Sequence, residues 1–244
     1  MDYVLDVHSH TIISGHAYST MREMARAAHE RGLLLLGITE HGPGVPGSMV
    51  NDYYIRNTRM VDRRMEGLEL MLGAEADIMN SSGELDITDR NLEFCDVVVA
   101  SIHKACYEPF RERKPGKEEI TETYIKVLEN PLVDIIGHPD DETFPVDFDV
   151  LACKAAECGK LLEVNNNSLD PRTSRVNGPA NIRRMLEACR KYRTPVVCNS
   201  DSHTDQLVGC HERSYELFRE MNFPEELVMN TSVEKLKKHL RKYR

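Results

Sequence analysis

The sequence predicts an α/β protein folded as a distorted TIM-like (β/α)7 barrel. Seven short apolar runs alternate with helical stretches, the pattern of a parallel sheet. Each run ends in a polar residue, His8, His41, Glu75, His103, His138, Asn165 and Asp201, at intervals of 33, 34, 28, 35, 27 and 36 residues. Each interval is about one strand-plus-helix unit of roughly 30 residues. Polar residues at every C-terminal strand end imply a closed ring, because an open doubly wound sheet gathers its ligand at one switch point. The 244 residues show no linker or shift in composition, which fits one domain spanning residues 1–244.

The elements follow in order. Residues 4–8 alternate as a strand, with Asp6, His8 and His10 expected on one face and Tyr3, Leu5 and Val7 on the other. Thr20-x-x-Glu23 is a capping box, Met21, Met24, Ala25 and Ala28 recur at helical spacing, and Gly32 ends the helix. Residues 33–39 are apolar without alternation, as in a strand buried on both faces. A Gly/Pro loop at residues 42–47 precedes a helix expected over 52–66 and a strand over 68–74. Residues 78–88, with Ser82-Gly83 between β-prone pieces, read as a hairpin or excursion. Further strands are expected at 97–102, 132–137, 160–164 and 195–200, and helices at 118–129, 146–158, 181–192 and 205–221. A last helix starts at Thr231, with Glu234 completing a second capping box.

Closing this barrel brings His8, His10, His16, His41, Glu75, His103, His138, Asp201 and His203 to one rim. Nine donors exceed the needs of one ion and imply two or three; imidazoles with few carboxylates suit zinc, manganese or iron better than calcium or magnesium. His29, His211 and His239 fall on expected helices and read as surface residues. The net charge of −9 argues against a general nucleic-acid binder, while bound metals leave phosphorylated substrates open. Without a signal segment or a long apolar run the chain reads as soluble and cytoplasmic, with no membrane association. The seven cysteines are scattered without CxxC and are expected reduced.

The segments DVHSHT, GHAYST, GITEHGP, GAEAD, SIHKA, IIGHP, EVNNNS and NSDSHT span nearly the whole chain. In their number, order and spacing they resemble the PHP (polymerase and histidinol phosphatase) domain family, in particular its YcdX-type phosphatases. The resemblance implies a trinuclear site: His8, His10, Glu75 and Asp201 on one metal, Glu75 bridging to a second held by His103 and His138, and His16, His41 and His203 on the third. Glu40 stands where the family more commonly has Asp, outside these ligands.

That resemblance implies three divalent ions, zinc first and manganese or iron as alternatives, and hydrolysis of a small phosphomonoester by a metal-bridging hydroxide. Glu75 and Asp201 are the catalytic candidates, Asp201 to orient the hydroxide or take its proton. Asn165 faces the rim as a substrate-binding candidate, and Arg172 or Arg175 is placed to grip a phosphate. Asp6 is a candidate either to accept a histidine N–H or to make a buried structural hydrogen bond. Arg111, Arg113, Lys114 and Lys117 read as a solvated loop and the basic segment 233–244 as a helix packed on the barrel. A phosphodiesterase or nuclease, or an amidohydrolase-like enzyme, is the alternative reading of the same metal site. The resemblance permits a homo-oligomer.

Overall fold

Seven parallel strands form a nearly closed barrel in the computed structural model, which describes residues 2–243. The elements are β1 (Leu5–Asp6), α1 (Met21–Glu30), β2 (Leu35–His41), α2 (Asp52–Asn57), β3 (Arg64–Met65), β4 (Leu68–Asp77), α3 (Asp89–Leu92) and β5 (Val98–Ser101). They continue as α4 (Lys117–Glu129), β6 (Ile135–Ile136), α5 (Phe148–Cys158), β7 (Leu161–Asn165), α6 (Gly178–Tyr192), β8 (Val196–Asn199), α7 (Glu212–Glu220) and α8 (Val233–Lys237). The ladder runs β1-β2-β4-β5-β6-β7-β8, and β3 pairs antiparallel with β4 outside it.

Between β8 and β1 side chains replace a strand ladder. The Asn230 amide accepts from Cys198 N–H and donates to the carbonyls of Leu5 and Cys198, and Asn199 Oδ1 accepts from Val7 N–H. Above them two backbone bonds complete the seam, Asp201 N–H to His8 O and His10 N–H to Ser202 O. The seam therefore sets His8, His10 and Asp201 side by side.

Leu5, Val7, Leu35, Met71, Val99, Ile135, Leu161 and Val197 pack as one cluster, inward residues from all seven barrel strands. The interior is narrow: a Cβ on Gly37 would lie 2.7 Å from Val7 Cα, and one on Gly73 2.0 Å from Val97 O, so only glycine fits either position. Leu236 and Leu240 close the floor of this cluster. The cations around them hold the plug in place: Lys237 pairs with Glu69 at 2.7 Å, Lys242 with Asp96, and Arg241 donates to the carbonyls of Leu92, Cys95 and Leu132. The basic segment thus packs on the barrel as expected, except that Arg244 lies outside the described residues.

Outside the sheet, α1 buries Met24, Ala25 and Ala28 against Leu36, Ile38, Leu70 and Leu72. Its capping box at Thr20 and Glu23 forms with both bonds present. The helix expected at 52–66 instead breaks after Asn57 into a 3-10 turn (Thr58–Met60) and then β3, where the Arg63 side chain takes the carbonyls of Thr58 and Val61. The helix expected over 205–221 starts only at Glu212, because Asp6 captures the Gly209 N–H and holds the preceding turn. The C-terminal cap is Ser232 rather than Thr231, accepting from Lys235 N–H. Residues 78–88 turn back through an Ile78–Leu85 bridge, as the excursion predicts. No helix among the described residues is long and apolar enough to cross a membrane.

Candidate metal centre

β4 points Glu75 into the rim and buries it completely, with His8, His10, His41, His103 and His138 against it and Asp201, His203 and His16 reached through those histidines. Glu75 Oε1 lies 2.9 Å from His138 Nε2, 3.3 Å from His8 Nε2 and 3.6 Å from His103 Nε2. Its Oε2 lies 2.7 Å from His41 Nδ1 and 3.5 Å from His10 Nε2. Asp201 Oδ1 stands 3.2 Å from His10 Nε2 and 3.7 Å from His8 Nε2. On the outer side His203 Nε2 is 3.0 Å from His16 Nε2 and 3.4 Å from His41 Nε2. His138 and Asp201 hold their positions with positive φ, 27° and 51°, a rare backbone state outside glycine.

Four donor groups are close enough to share a cation: His8 with His10 and Asp201; Glu75 with His103 and His138; His10 with His41 and His203; and His41 with Asp77 and His103. The atoms they aim inward fit such ions. His8 Nε2, His10 Nε2, His41 Nδ1, Glu75 Oε2 and Asp77 Oδ2 are buried without a hydrogen-bond partner. An unpaired buried polar atom costs about 1–3 kcal/mol, so five around one cavity point to a ligand that takes lone pairs.

Behind the rings, acceptors fix which nitrogen stays free. His8 Nδ1 donates to Glu163 Oε1 at 2.7 Å, His103 Nδ1 to Asp77 Oδ1 at 2.7 Å and His203 Nδ1 to the Asp201 carbonyl at 3.0 Å. Each Nε2 is then left as a donor to metal. Glu163 and Asp77 are absent from the candidates read in the sequence, yet each sits two positions from one, Asn165 and Glu75, on the same face of its strand. That i±2 relation is the signal that finds them.

Electrostatics follow the same division. Burial would raise Glu75, yet His8, His103 and His41 hold its carboxyl well below the usual range, and His8 and Arg175 do the same for Asp201. Burial, the largest cause in each case, lowers His10, His16, His138 and His203, helped at His138 by Arg175, and so favours the neutral form that can bind metal. Burial also lowers His8 and His103, but Glu163 and Glu75 outweigh it on His8, and Glu75 and Asp77 raise His103 to about 9. Cations bound at the carboxylates would remove that pull.

A cavity of about 560 Å³ opens beside the rim, walled by Val45, Ile102, Lys104, Phe144, Asn167 and Arg175. Arg172 reaches its mouth, but its side chain is 78% exposed and is held by Asp170 at 2.9 Å. Arg175, 14% exposed, bonds Asp201 Oδ2 at 2.6 Å and Asn165 Oδ1 at 3.1 Å. Asn165 is fully buried beneath the cavity, its Nδ2 shared between Glu163 and Asp201 at 3.1 Å each. Arg111, Arg113, Lys114 and Lys117 are exposed, away from this wall.

Two expectations are corrected. Leu5 and Val7 fill the barrel, so the alternate residue Asp6 points outward to Ser200, the Gly209 N–H and His211 rather than to a rim histidine. His8 and His10 reach the rim because β1 ends at Asp6, where the chain leaves strict alternation. His211 is correspondingly buried, 3.6 Å from Asp6, while His29 is exposed.

A parallel barrel with imidazoles and carboxylates converging at its C-terminal rim defines a class, the metal-dependent barrel hydrolases. Within that class the chain belongs to the PHP domain family, whose model matches residues 6–169. A protein of Acetivibrio thermocellus named as a probable phosphatase is 40% identical over 242 residues, covering 99% of this chain and 97% of its own. Among solved structures, the histidinol phosphate phosphatase of Lactococcus lactis subsp. lactis, complexed with zinc, L-histidinol and phosphate, superposes with a TM-score of 0.66 at 18% identity, covering 91% of this chain and 95% of its own. A chain in the structure of archaeal ribonuclease P with mature tRNA shares the fold at a TM-score of 0.59 and 15% identity, covering 98% and 91%.

Proposed function

We propose that the protein is a metal-dependent phosphatase hydrolysing a small phosphomonoester at a trinuclear centre. The observation that carries this reading is the set of orphaned lone pairs around Glu75, beside a cavity walled by Arg175. Membership of the PHP family and a full-length relative named as a probable phosphatase support the phosphoester chemistry.

His8, His10, Glu75 and Asp201 would hold one ion, Glu75, His103 and His138 a second, and His16, His41 and His203 a third. Their N and O donors suit zinc, with manganese or iron as alternatives. When bound, such ions supply Lewis acidity that activates water and neutralises charge on phosphoryl oxygens.

The protein's own groups supply positioning. Glu163 and Asp77 fix the rings of His8 and His103, so these ligands need no reorganisation. Asp201 gives Oδ2 to Arg175 and Asn165, which leaves Oδ1, the oxygen facing His8 and His10, to bind an ion or hold a proton. Arg175 offers a planar pair of donors to phosphoryl oxygens at the cavity wall, and Asn165 acts on Asp201 from below rather than on the substrate. Arg172, at the mouth, would meet only the leaving group. Val45, Ile102 and Phe144 give that group an apolar surface.

The test is phosphate release from a panel of phosphomonoesters and phosphodiesters by protein of measured metal content, beside His103→Ala and Asp201→Ala variants. Monoester turnover that requires metal and falls by orders of magnitude in both variants is expected. Preference for diesters would favour the nuclease reading, and folded, metal-loaded protein inert on every ester would overturn the proposal.

A further inference from the structure

Glu40 lies outside every metal-sharing group, yet it is buried at the strand end that carries His41. Three donors from the segment following His10 converge on its carboxylate: Thr11 N–H at 3.0 Å, the Thr11 hydroxyl, and the Ser14 hydroxyl at 2.5 Å. Ser14 Oγ in turn lies 3.1 Å from His10 Nδ1 and 3.0 Å from the His41 N–H.

Counting protons decides the direction of this chain. Ser14 has one hydroxyl hydrogen, and it points at Glu40 Oε2, an oxygen that already accepts from the Thr11 N–H. The His41 backbone N–H can only donate. Ser14 Oγ, its hydrogen given to Glu40, can only accept from His10, so Nδ1 must carry the ring proton. The lone pair is then confined to Nε2, the atom that faces Asp201 and Glu75 and has no hydrogen-bond partner.

We infer that Glu40, acting through Ser14, is a positioning residue that fixes the tautomer of His10 and ties the His10–His16 segment to the strand bearing His41. The same carboxylate thereby organises three of the rim histidines from behind. The 3-10 turn Ile12–Ser14, capped by Thr11, is the piece it grips, and His16 follows two residues later. This inference rests on the proposed metal role of His10.

The experiment compares zinc retention and phosphatase turnover in the wild type with Ser14→Ala, Ser14→Thr, Glu40→Leu and Glu40→Gln, with thermal unfolding as a separate record of the fold. Loss of an outer acceptor typically costs about 10–100-fold in metal affinity. Ser14→Ala and Glu40→Leu should therefore surrender zinc to a chelator about 10–100-fold more readily. Ser14→Thr, which keeps the hydroxyl, and Glu40→Gln, whose carbonyl can still accept from Ser14, should stay near the wild type. A purely structural role would lower the unfolding temperature without separating the variants that keep the relay from those that break it. Should Glu40→Leu fail to fold, the one-hydroxyl deletion in Ser14→Ala decides the matter. Zinc held as tightly by Ser14→Ala as by the wild type overturns the relay and leaves the proposed function standing. Wild-type protein that binds no divalent metal overturns both.

Discussion

Glu163 and His8 stand 155 residues apart in the chain and 2.7 Å apart in the barrel, Oε1 to Nδ1. Glu163 also accepts from Asn199 Nδ2, the His138 N–H and Asn165 Nδ2, so donors from several strands meet on one buried carboxylate. A Gln there would turn an N–H2 group toward one of those pairs of donors. Glu163→Gln should weaken metal binding about 10–100-fold and destabilise the fold by about 1–3 kcal/mol. Chelator competition and urea unfolding measure the two effects, and wild-type values in both would remove Glu163 from the site.

Arg175 and Arg172 should separate kinetically. Arg175 is almost enclosed and bonded to Asp201, whereas Arg172 is exposed and paired with Asp170. Losing a hydrogen bond to a charged group costs about 1.5–3 kcal/mol, so Arg175→Ala should lower kcat/KM roughly 10–100-fold. Arg172→Ala breaks an exposed pair worth about 0–1 kcal/mol and should change it about fivefold at most. Equal losses in the two variants would contradict the cavity geometry.

Metal removal should cost stability as well as turnover. An ion that binds only the folded state, present at about 100 times its Kd, adds about 2.7 kcal/mol per site. Exhaustive chelation should therefore lower Tm and abolish phosphate release, and returning zinc or manganese should restore both. Calorimetry with and without chelator checks this, and an unchanged Tm would mean that no ion is bound in the folded state.

The thiols should divide by burial. Cys95, Cys106, Cys189 and Cys198 are buried, while Cys153, Cys158 and Cys210 are partly exposed. Burial pushes the Cys189 thiol up to about 12, far from its reactive thiolate form. Mass spectrometry after brief alkylation of the native protein should find label on the second set, with the first labelled only after unfolding.

Leu236→Ala should test the barrel floor without touching the chemistry. The side chain is fully buried beneath the inward cluster, and truncating such a leucine costs about 2–5 kcal/mol. Lower stability with unchanged kcat at low temperature is expected. A loss of kcat in protein still fully folded would instead couple the floor to the rim.

Local rules made much of the protein legible in its sequence. Strands such as the one opening at residues 33–38 betray themselves by unbroken apolar character, the Thr20–Glu23 box by spacing alone, and the rim ligands by recurring at strand ends. These features depend on periodicity and near neighbours, which a linear chain displays. Strict alternation places Asp6 with His8, whereas β1 pairs for only two residues before the chain leaves the strand.

Tertiary structure alone decided the partners. Glu163 became the acceptor for His8, Asp77 for His103, and Arg175 rather than Arg172 the arginine at Asp201, because closing the barrel sets which distant side chains meet. Closure also buried His211 against Asp6, stitched the last seam with Asn230 and Asn199, and drew the basic C-terminus under the barrel. The sequence thus determined which donor types stand at the end of each strand. Only closure of the sheet, by burying those donors against one another, determined the hydrogen bond each makes and the lone pair each has left for metal.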